Sequence, residues 1–263
     1  MMKILAAFDS FKESMTAYAA GEAVQRAYNN VHICPLADGG EGTMEVMNRY
    51  LHGDIHEIEV AGPLFKTVHA KLAIMDDLAI IESAQACGLD YLTEEEKNGT
   101  EATSYGVGEM MKYAYDHGVK RFLLTLGGSA CNDGGIGLLS GMGYAIVTGL
   151  NGKLVTGFDA VSRTVHLEEA IQKADIIFTG EGKMDHQTLY GKTPIGVLRL
   201  AQKYNKPVVA FCGKCEDKET LLEAGFEDVR CINHTDEPLS VLLEKGPQYL
   251  EEEVRRYLEE KNV

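Results

Sequence analysis

Four times in this chain an apolar run empties into a short stretch crowded with glycine and acid. The stretches are Asp9-Ser-Phe-Lys-Glu-Ser14, Asp38-Gly-Gly-Glu-Gly-Thr43, Gly127-Gly-Ser-Ala-Cys-Asn-Asp-Gly-Gly135 and Thr179-Gly-Glu-Gly-Lys-Met-Asp185. A short, continuously apolar run belongs to a parallel sheet covered on both faces. Glycine in the segment that follows lets backbone N–H groups come close to a ligand and adopt positive φ. When a helix comes next, that segment is where α/β proteins hold anions. One such loop is an ordinary turn; four in series point to an α/β fold that binds an anionic small molecule.

The order of patterns sets the architecture. Lys3–Phe8 reads as a buried strand, Thr16–Tyr28 as a helix, Val31–Leu36 as a second strand and Glu41–Leu51 as a second helix. This β-α-β-α start predicts a parallel sheet with crossover helices. The pattern then changes to three strand-like runs, His56–Val60, Thr67–Met75 and Leu78–Glu82, with Asp76-Asp77 as a hairpin turn. A helix at Tyr105–His117, a strand at Lys120–Leu126 and a glycine-rich helix from Asn132 to Met142 follow. Gly149–Thr156 is turn-like, with Asn151-Gly152 as its signal. Strand and helix alternate again afterwards: Leu167–Lys173, Asp175–Phe178, Thr193–Tyr204, Pro207–Phe211, Lys218–Ala224, Val229–Ile232 and Pro238–Glu260. The expected architecture is a doubly wound, Rossmann-like domain built from residues 1–61 and 166–263, with a smaller α/β domain inserted at 62–165. A crevice between two such domains is a usual ligand site.

Charge and cysteine narrow the class. The formal net charge is −15, which argues against nucleic acid as a partner, because phosphate backbones need a positive surface. An acidic protein that binds anions must gather its cations locally, and Lys12, Lys183 and Lys192 all lie in or beside the glycine stretches. Of the six cysteines only Cys212 and Cys215 have Cys-x-x-Cys spacing, and no second pair completes a zinc site. Reduced thiols and a cytoplasmic location are expected. The first apolar run is too short for a signal peptide and no segment is long enough to span a membrane. A homo-oligomer is compatible with the sequence.

These motifs, in this order, together with Thr103-Ser-Tyr-Gly106, Gln187-Thr-Leu-Tyr-Gly-Lys-Thr-Pro-Ile-Gly-Val197 and Lys206-Pro-Val-Val-Ala210 followed by Gly213, resemble the type I glycerate kinases. The likeness is collinear over nearly the whole chain. It implies transfer of the γ-phosphate of ATP to D-glycerate, with Mg²⁺ and 2-phosphoglycerate as the usual bacterial product, 3-phosphoglycerate being the other. The chain departs from the pattern in one place. Members of the family are longer, and an internal block that carries a Cys-Asp strand motif and a glycine/alanine-rich loop is absent near Val155–Gly157. Two further readings stay open: a kinase of another small hydroxy acid, and an inactive small-anion-binding protein on the same scaffold.

Phosphoryl transfer needs donors for phosphate oxygens, carboxylates for Mg²⁺ and a group to orient or deprotonate the attacking hydroxyl. No Gly-x-x-x-x-Gly-Lys-Ser/Thr signature is present, so a P-loop is excluded. Lys12 is the candidate to neutralise a phosphate or the substrate carboxylate, with Asp9 and Ser10 beside it; the competing reading is that Asp9 or Ser14 caps the next helix. Asp38 and Glu41 are candidate metal ligands with Gly39 and Gly40 as close-approach positions, against a plain turn in which Glu41 complements a helix dipole. Gly127, Gly128 and Ser129 are expected to cradle phosphate, with Asn132 beside them and Asp133 as metal ligand or base; either acid-amide residue also suits a helix cap. Thr179 and Gly180 join the binding set, and Glu181 the metal set. Asp185 is the first choice of base and Asp133 the second. Gln187 and Lys192 are expected to hold substrate or nucleotide. Glu82, Ser83, Thr103 and Ser104 carry weaker signals.

Overall fold

A computed structural model describes residues 1–143, 155–185, 188–189, 192–234 and 237–262. The expected turn at Asn151-Gly152 lies outside the described residues. In chain order the elements are β1 (Ile4–Phe8), α1 (Ala17–Ala27), β2 (Val31–Ile33), α2 (Thr43–Leu51), β3 (Asp54–Ala61), β4 (Thr67–Met75), β5 (Leu78–Glu82), α3 (Ala84–Cys87), α4 (Tyr105–Asp116), β6 (Arg121–Thr125) and α5 (Ile136–Gly141). They continue with α6 (Gly157–Thr164), α7 (Leu167–Lys173), β7 (Ile176–Met184), α8 (Thr193–Gln202), β8 (Val208–Cys215), α9 (Lys218–Glu223), β9 (Asp228–Cys231), α10 (Leu239–Glu244) and α11 (Gly246–Glu260).

The chain divides into two compact units. The first holds Met1–Asp38 and Phe158–Val263. Its five-stranded sheet has the order β2-β1-β7-β8-β9 and every pairing in it is parallel. All five side chains of β1 are buried, as a strand covered on both faces requires. Phe8, Phe178 and Phe211 on β1, β7 and β8 meet Tyr257 of α11 to form the core on one side. The turn into α1 is fixed by Thr16, whose side-chain oxygen accepts from Ala19 N at 3.2 Å, an N-cap bond.

The second unit is Gly39–Gly157. Its sheet runs β3-β4-β5-β6, antiparallel through the first three strands and parallel between β5 and β6. The two-residue hairpin at Asp76-Asp77 joins Met75 to Leu78, with Asp76 at φ 50°. Leu72, Ile81, Val107, Met110 and Ala114 form the core under α4. Helix α2 and strand β3, which the sequence pattern attaches to the first domain, lie in this unit. The reason is pairing: β3 joins β4 along its full length from Asp54 to Ala61, and α2 packs on β4 and β5.

Three sequence expectations are corrected. The helix expected from Asn132 begins at Ile136, because Gly134 and Gly135 take φ of 61° and 81° and hold the backbone out of the helix. The segment Val155–Gly157 leads into a helix, α6, that polarity patterning did not reveal. The stretch Thr179–Met184 is strand: β7 continues through it, in register with β8 from Ile177↔Val208 to Met184↔Cys215. A Cβ at Gly180 would sit 1.8 Å from Phe211 O, so glycine here admits the neighbouring strand rather than a turn.

Candidate functional site

In the first unit, the ends of β1 and β7 and the start of α8 bring one acidic group together. Asp9 directly follows β1 and is buried, with 8% of its surface exposed. Its Oδ1 accepts from Ser10 N at 2.7 Å and its Oδ2 accepts from Thr193 Oγ1 at 2.6 Å. Burial pushes the Asp9 carboxyl up to about 7, and Asp38 and Glu181 add to the rise by repulsion, against the two hydrogen bonds. Glu181 is also held above the usual carboxylate range, chiefly by burial, while Lys192 and Thr188 oppose the shift.

Strand geometry explains the grouping on β7. Residues two apart project to the same face, which puts Glu181 and Lys183 together, with Asp185 just beyond the strand. Lys192 Nζ lies 3.4 Å from Glu181 Oε2. Thr188 Oγ1 donates to Glu181 Oε1 at 2.8 Å and accepts from Asp185 N at 3.2 Å, so one hydroxyl ties the two acids' segments. Lys183 Nζ pairs with Asp185 Oδ2 at 3.2 Å and with Glu216 Oε2 at 3.0 Å. Lys192 is the N-cap residue of α8 and Thr193 its first residue, so the positive end of that helix adjoins the acids.

The other sequence candidates of this unit differ in exposure. Lys12 is exposed, on a segment whose backbone N would lie 3.4 Å from a Cβ at Gly182, so it runs over β7. Thr179 is buried, and its Oγ1 donates to Ala7 O at 2.6 Å, a bond that ties β7 to β1. Asp38 is exposed. Gln187 lies outside the described residues.

The second unit holds the other glycine segments. Gly127 N donates to Gly39 O at 3.1 Å, and a Cβ at Gly127 would fall 2.5 Å from Gly40 Cα. The two loops therefore touch backbone to backbone, which only glycine permits. Glu82, buried at the end of β5, accepts from Met44 N at 2.6 Å and so caps α2; burial raises its carboxyl. Ser129 Oγ is 2.5 Å from Ser83 Oγ and 3.2 Å from Leu126 O, to which it donates. Gly128 has φ 77°. Asn132 and Glu41 are exposed.

Asp133 is the most heavily bonded acid of this unit. It accepts from Ser104 N at 2.8 Å, from Ser104 Oγ at 2.9 Å, from Thr103 Oγ1 at 3.3 Å, from Gly135 N at 3.0 Å and from Gly137 N at 3.2 Å. Those bonds hold its carboxyl below the usual range in spite of desolvation. A single carboxylate thus joins the starts of α4 and α5. Thr193, Thr188, Ser104 and Glu82 are the residues that pattern reading undervalued. The first two sit inside the run Gln187–Val197, and each supplies a hydroxyl that only the fold pairs with an acid.

Among the described residues, no group of three or more His, Cys, Asp or Glu is arranged to hold a metal ion. The candidate ligands Asp38 and Glu181 belong to the first unit and Glu41 to the second. Mg²⁺ is usually held by one or two carboxylates together with phosphate oxygens and water. Asp38 and Glu181, near enough to raise each other's neighbour Asp9, are oxygen donors of the right kind and number for that mode.

Comparison with known proteins supplies the context. The model of the glycerate kinase family matches residues 4–148 and 140–260. A glycerate kinase of Halalkalibacterium halodurans is 27% identical over 368 positions, with 97% of each chain covered. The glycerate 2-kinase of Escherichia coli is 26% identical, covering 82% of this chain and 86% of its own. A crystal structure of a protein assigned as glycerate kinase 2 from Salmonella typhimurium LT2 superposes with a TM-score of 0.78 at 25% identity, over 99% of this chain and 98% of its own. Alignment of this 263-residue chain over 368 positions leaves at least 105 of them (368 less 263) without a counterpart here. The two family-model matches meet within 140–148, ahead of the expected break at Val155–Gly157.

Proposed function

The chain belongs to the glycerate kinase family, and from that premise we propose that it transfers the γ-phosphate of ATP to D-glycerate. The attacking hydroxyl oxygen bonds to phosphorus, the bond from phosphorus to the ADP oxygen breaks, and the hydroxyl proton passes to a carboxylate. Asp9 is that acceptor. A general base works best with a pKa near the working pH, and Asp9 is the acid of this unit pushed up to about 7. Asp185, the first choice on sequence, is paired with Lys183 and serves instead to fix the end of β7.

Lys192 and Lys12 supply positive charge to phosphate or to the substrate carboxylate. Within the second unit, Gly39, Gly40, Gly127, Gly128 and Ser129 are the candidate phosphate contacts, with Asp133 holding the loop 127–135 in place. Mg²⁺, held by Asp38 and Glu181, would neutralise phosphate charge. The product of this reading is 2-phosphoglycerate, in keeping with the name of the Escherichia coli relative. A cytoplasmic location goes with the family reading alone.

The observation that carries the reading is the joined group of Asp9, Thr193, Glu181 and Lys192 at the C-terminal ends of two adjacent parallel strands, where open α/β sheets bind ligands. The test is coupled ADP release with D-glycerate and Mg–ATP, followed by phosphorus NMR of the product. Absence of turnover together with absence of any thermal shift from Mg–ATP would sink it. The shortened chain favours one second reading, a small-anion-binding protein without turnover, which predicts a glycerate-induced thermal shift and no ADP. Turnover with a different hydroxy acid in a substrate panel would reassign the substrate alone.

A further inference from the structure

Two sulfur atoms are in contact in the second unit, at a place the phosphoryl-transfer reading does not use. Cys131 Sγ lies 3.6 Å from Cys87 Sγ, and both thiols are free. Cys87 is the last residue of α3, and Cys131 lies within the glycine loop 127–135. The two segments are already joined by backbone: Ala130 N donates to Cys87 O at 2.7 Å and Leu89 N donates to Gly128 O at 3.1 Å, either side of an antiparallel bridge between Gly88 and Ser129. A disulfide needs the sulfurs at about 2.0 Å, an approach of roughly 1.6 Å from their present contact. Side-chain rotation at Cys131, the partly exposed member, can supply that while the backbone pairing holds the two segments together.

We propose that Cys87 and Cys131 form a reversible disulfide, closed by a hydroperoxide, that clamps the glycine loop to α3 and lowers turnover. The effect on turnover rests on the reading of that loop as part of the phosphate site; the bond itself does not. Cys87 is 1% exposed, and burial pushes its thiol up to about 12, so Cys131 meets the oxidant first. Its sulfur attacks the peroxide, an S–O bond forms, the O–O bond breaks, and water leaves. Cys87 sulfur then attacks the Cys131 sulfenic sulfur. The S–S bond forms, the S–O bond breaks, and hydroxide departs with the Cys87 proton as water. Two thiols are oxidised and one peroxide is reduced to two waters. Closure draws Cys131 toward α3 and with it Ser129, which sits 3.9 Å from Cys87 Sγ and bonds Ser83.

The competing thiols are Cys212 and Cys215. Cys215, lowered to about 7 chiefly by a hydrogen bond from Cys212, is the more ionised, so the experiment must separate the two pairs. The reduced full chain is treated with stoichiometric hydrogen peroxide, alkylated and digested for mass spectrometry, while ADP release with D-glycerate is followed in parallel. The expected result is a Cys87–Cys131 linked peptide two hydrogens lighter, a melting temperature several degrees higher because a 44-residue loop is closed, and a turnover at least tenfold lower that dithiothreitol restores. C131S should give no link and keep its turnover through the peroxide step; C212S/C215S should still switch. Peroxide consumption with no Cys87–Cys131 link, or a link that leaves turnover unchanged, overturns the proposal. A reduced protein that shows no turnover at all counts against the kinase reading, and the linked peptide and melting shift then decide the bond on their own.

Discussion

Thr193 Oγ1 donates a 2.6 Å hydrogen bond to Asp9 Oδ2, joining the first turn of α8 to the residue that follows β1. This bond and the one from Ser10 N stabilise the ionised acid, yet burial and the acids Asp38 and Glu181 outweigh them. The carboxyl is thus poised at neutrality. An acid raised in this way carries its proton in the folded chain over a range in which the unfolded chain has lost it.

That sign gives the first prediction. Asp9 rises from 3.8 to about 7. Between about pH 4 and pH 7 the folded chain binds one more proton than the unfolded chain at this site, so stability falls as pH rises through that window and levels off above it. The full difference is on the order of 4 kcal/mol at about 1.4 kcal/mol per pKa step. D9N removes it. Urea unfolding at pH 4.5, 6 and 8 should show a wild-type stability that declines more steeply than that of D9N by a few kcal/mol; parallel curves would refute the shift.

The same repulsion predicts proton release on binding Mg–ATP. A cation at Asp38 and Glu181 replaces their repulsion of Asp9 with attraction, and an opposite charge within a few ångströms favours the ionised acid. At pH 7 a fraction of a proton should leave per site. Calorimetric titration in two buffers of different ionisation enthalpy measures it, and D9N should release less. Identical apparent enthalpies for the wild type in both buffers would remove the cation from this group.

How much of this was legible in the sequence depends on what each signal physically encodes. Apolar runs marked β1, β4 and β5 closely, because burial on both faces, or alternation on one, is written directly in residue type. Glycine density reads as loop, and Gly39, Gly40, Gly127 and Gly128 do lie in loops. It fails at Gly180, where the missing side chain makes room for β8, and at Gly182, where it faces the Phe11–Lys12 backbone. Asp9 and Asp185 were both visible as acids. Their environments were not: Thr193 reaches Asp9 only through tertiary contact, and Thr188, three residues from Asp185, bonds that residue's backbone N–H while its own hydroxyl reaches Glu181. The sequence pattern attaches β3 to the first βα repeat, whereas its pairing with β4 puts it in the second unit.

Asp133 offers a test that separates a cap from a base. Its carboxylate accepts from Ser104 and from the N–H groups that open α5, and its lowered pKa means that its stabilisation is present at neutral pH and fades as pH falls through the folded value. D133A leaves those donors unpaired and should destabilise by about 2 kcal/mol. D133N keeps one acceptor and should retain most stability and, if the residue positions its loop, turnover within about tenfold. A loss near a thousandfold in D133N with the fold intact would make it a catalytic acid–base group.

Two glycines predict opposite outcomes for the same substitution. A Cβ at Gly180 would meet Phe211 O at 1.8 Å, a backbone atom that cannot turn aside. G180A should part β7 from β8 and cost about 3 kcal/mol or more, on the scale of overpacking a core. Gly134 has nothing within 4 Å and only its φ of 61° to lose, so G134A should cost about 1 kcal/mol. Denaturant midpoints of the two variants check the contrast. Equal midpoints would mean that the β7–β8 register is not as described.

The choice of base is settled by pH profiles of two variants. Asp9 near neutrality should impose an ascending limb with an apparent pKa near 7 on kcat/KM, since the ionised form accepts the hydroxyl proton. D9N should lower kcat by about a hundredfold or more and erase that limb. Asp185, held by Lys183 at 3.2 Å, acts on the position of β7's end and of Thr188. D185N keeps the shape of the hydrogen-bonded segment and should shift KM more than kcat, with the limb near 7 still present. If instead D185N loses the limb and D9N keeps it, the roles exchange, and the buried acid next to Thr193 is a structural residue that binds the start of α8.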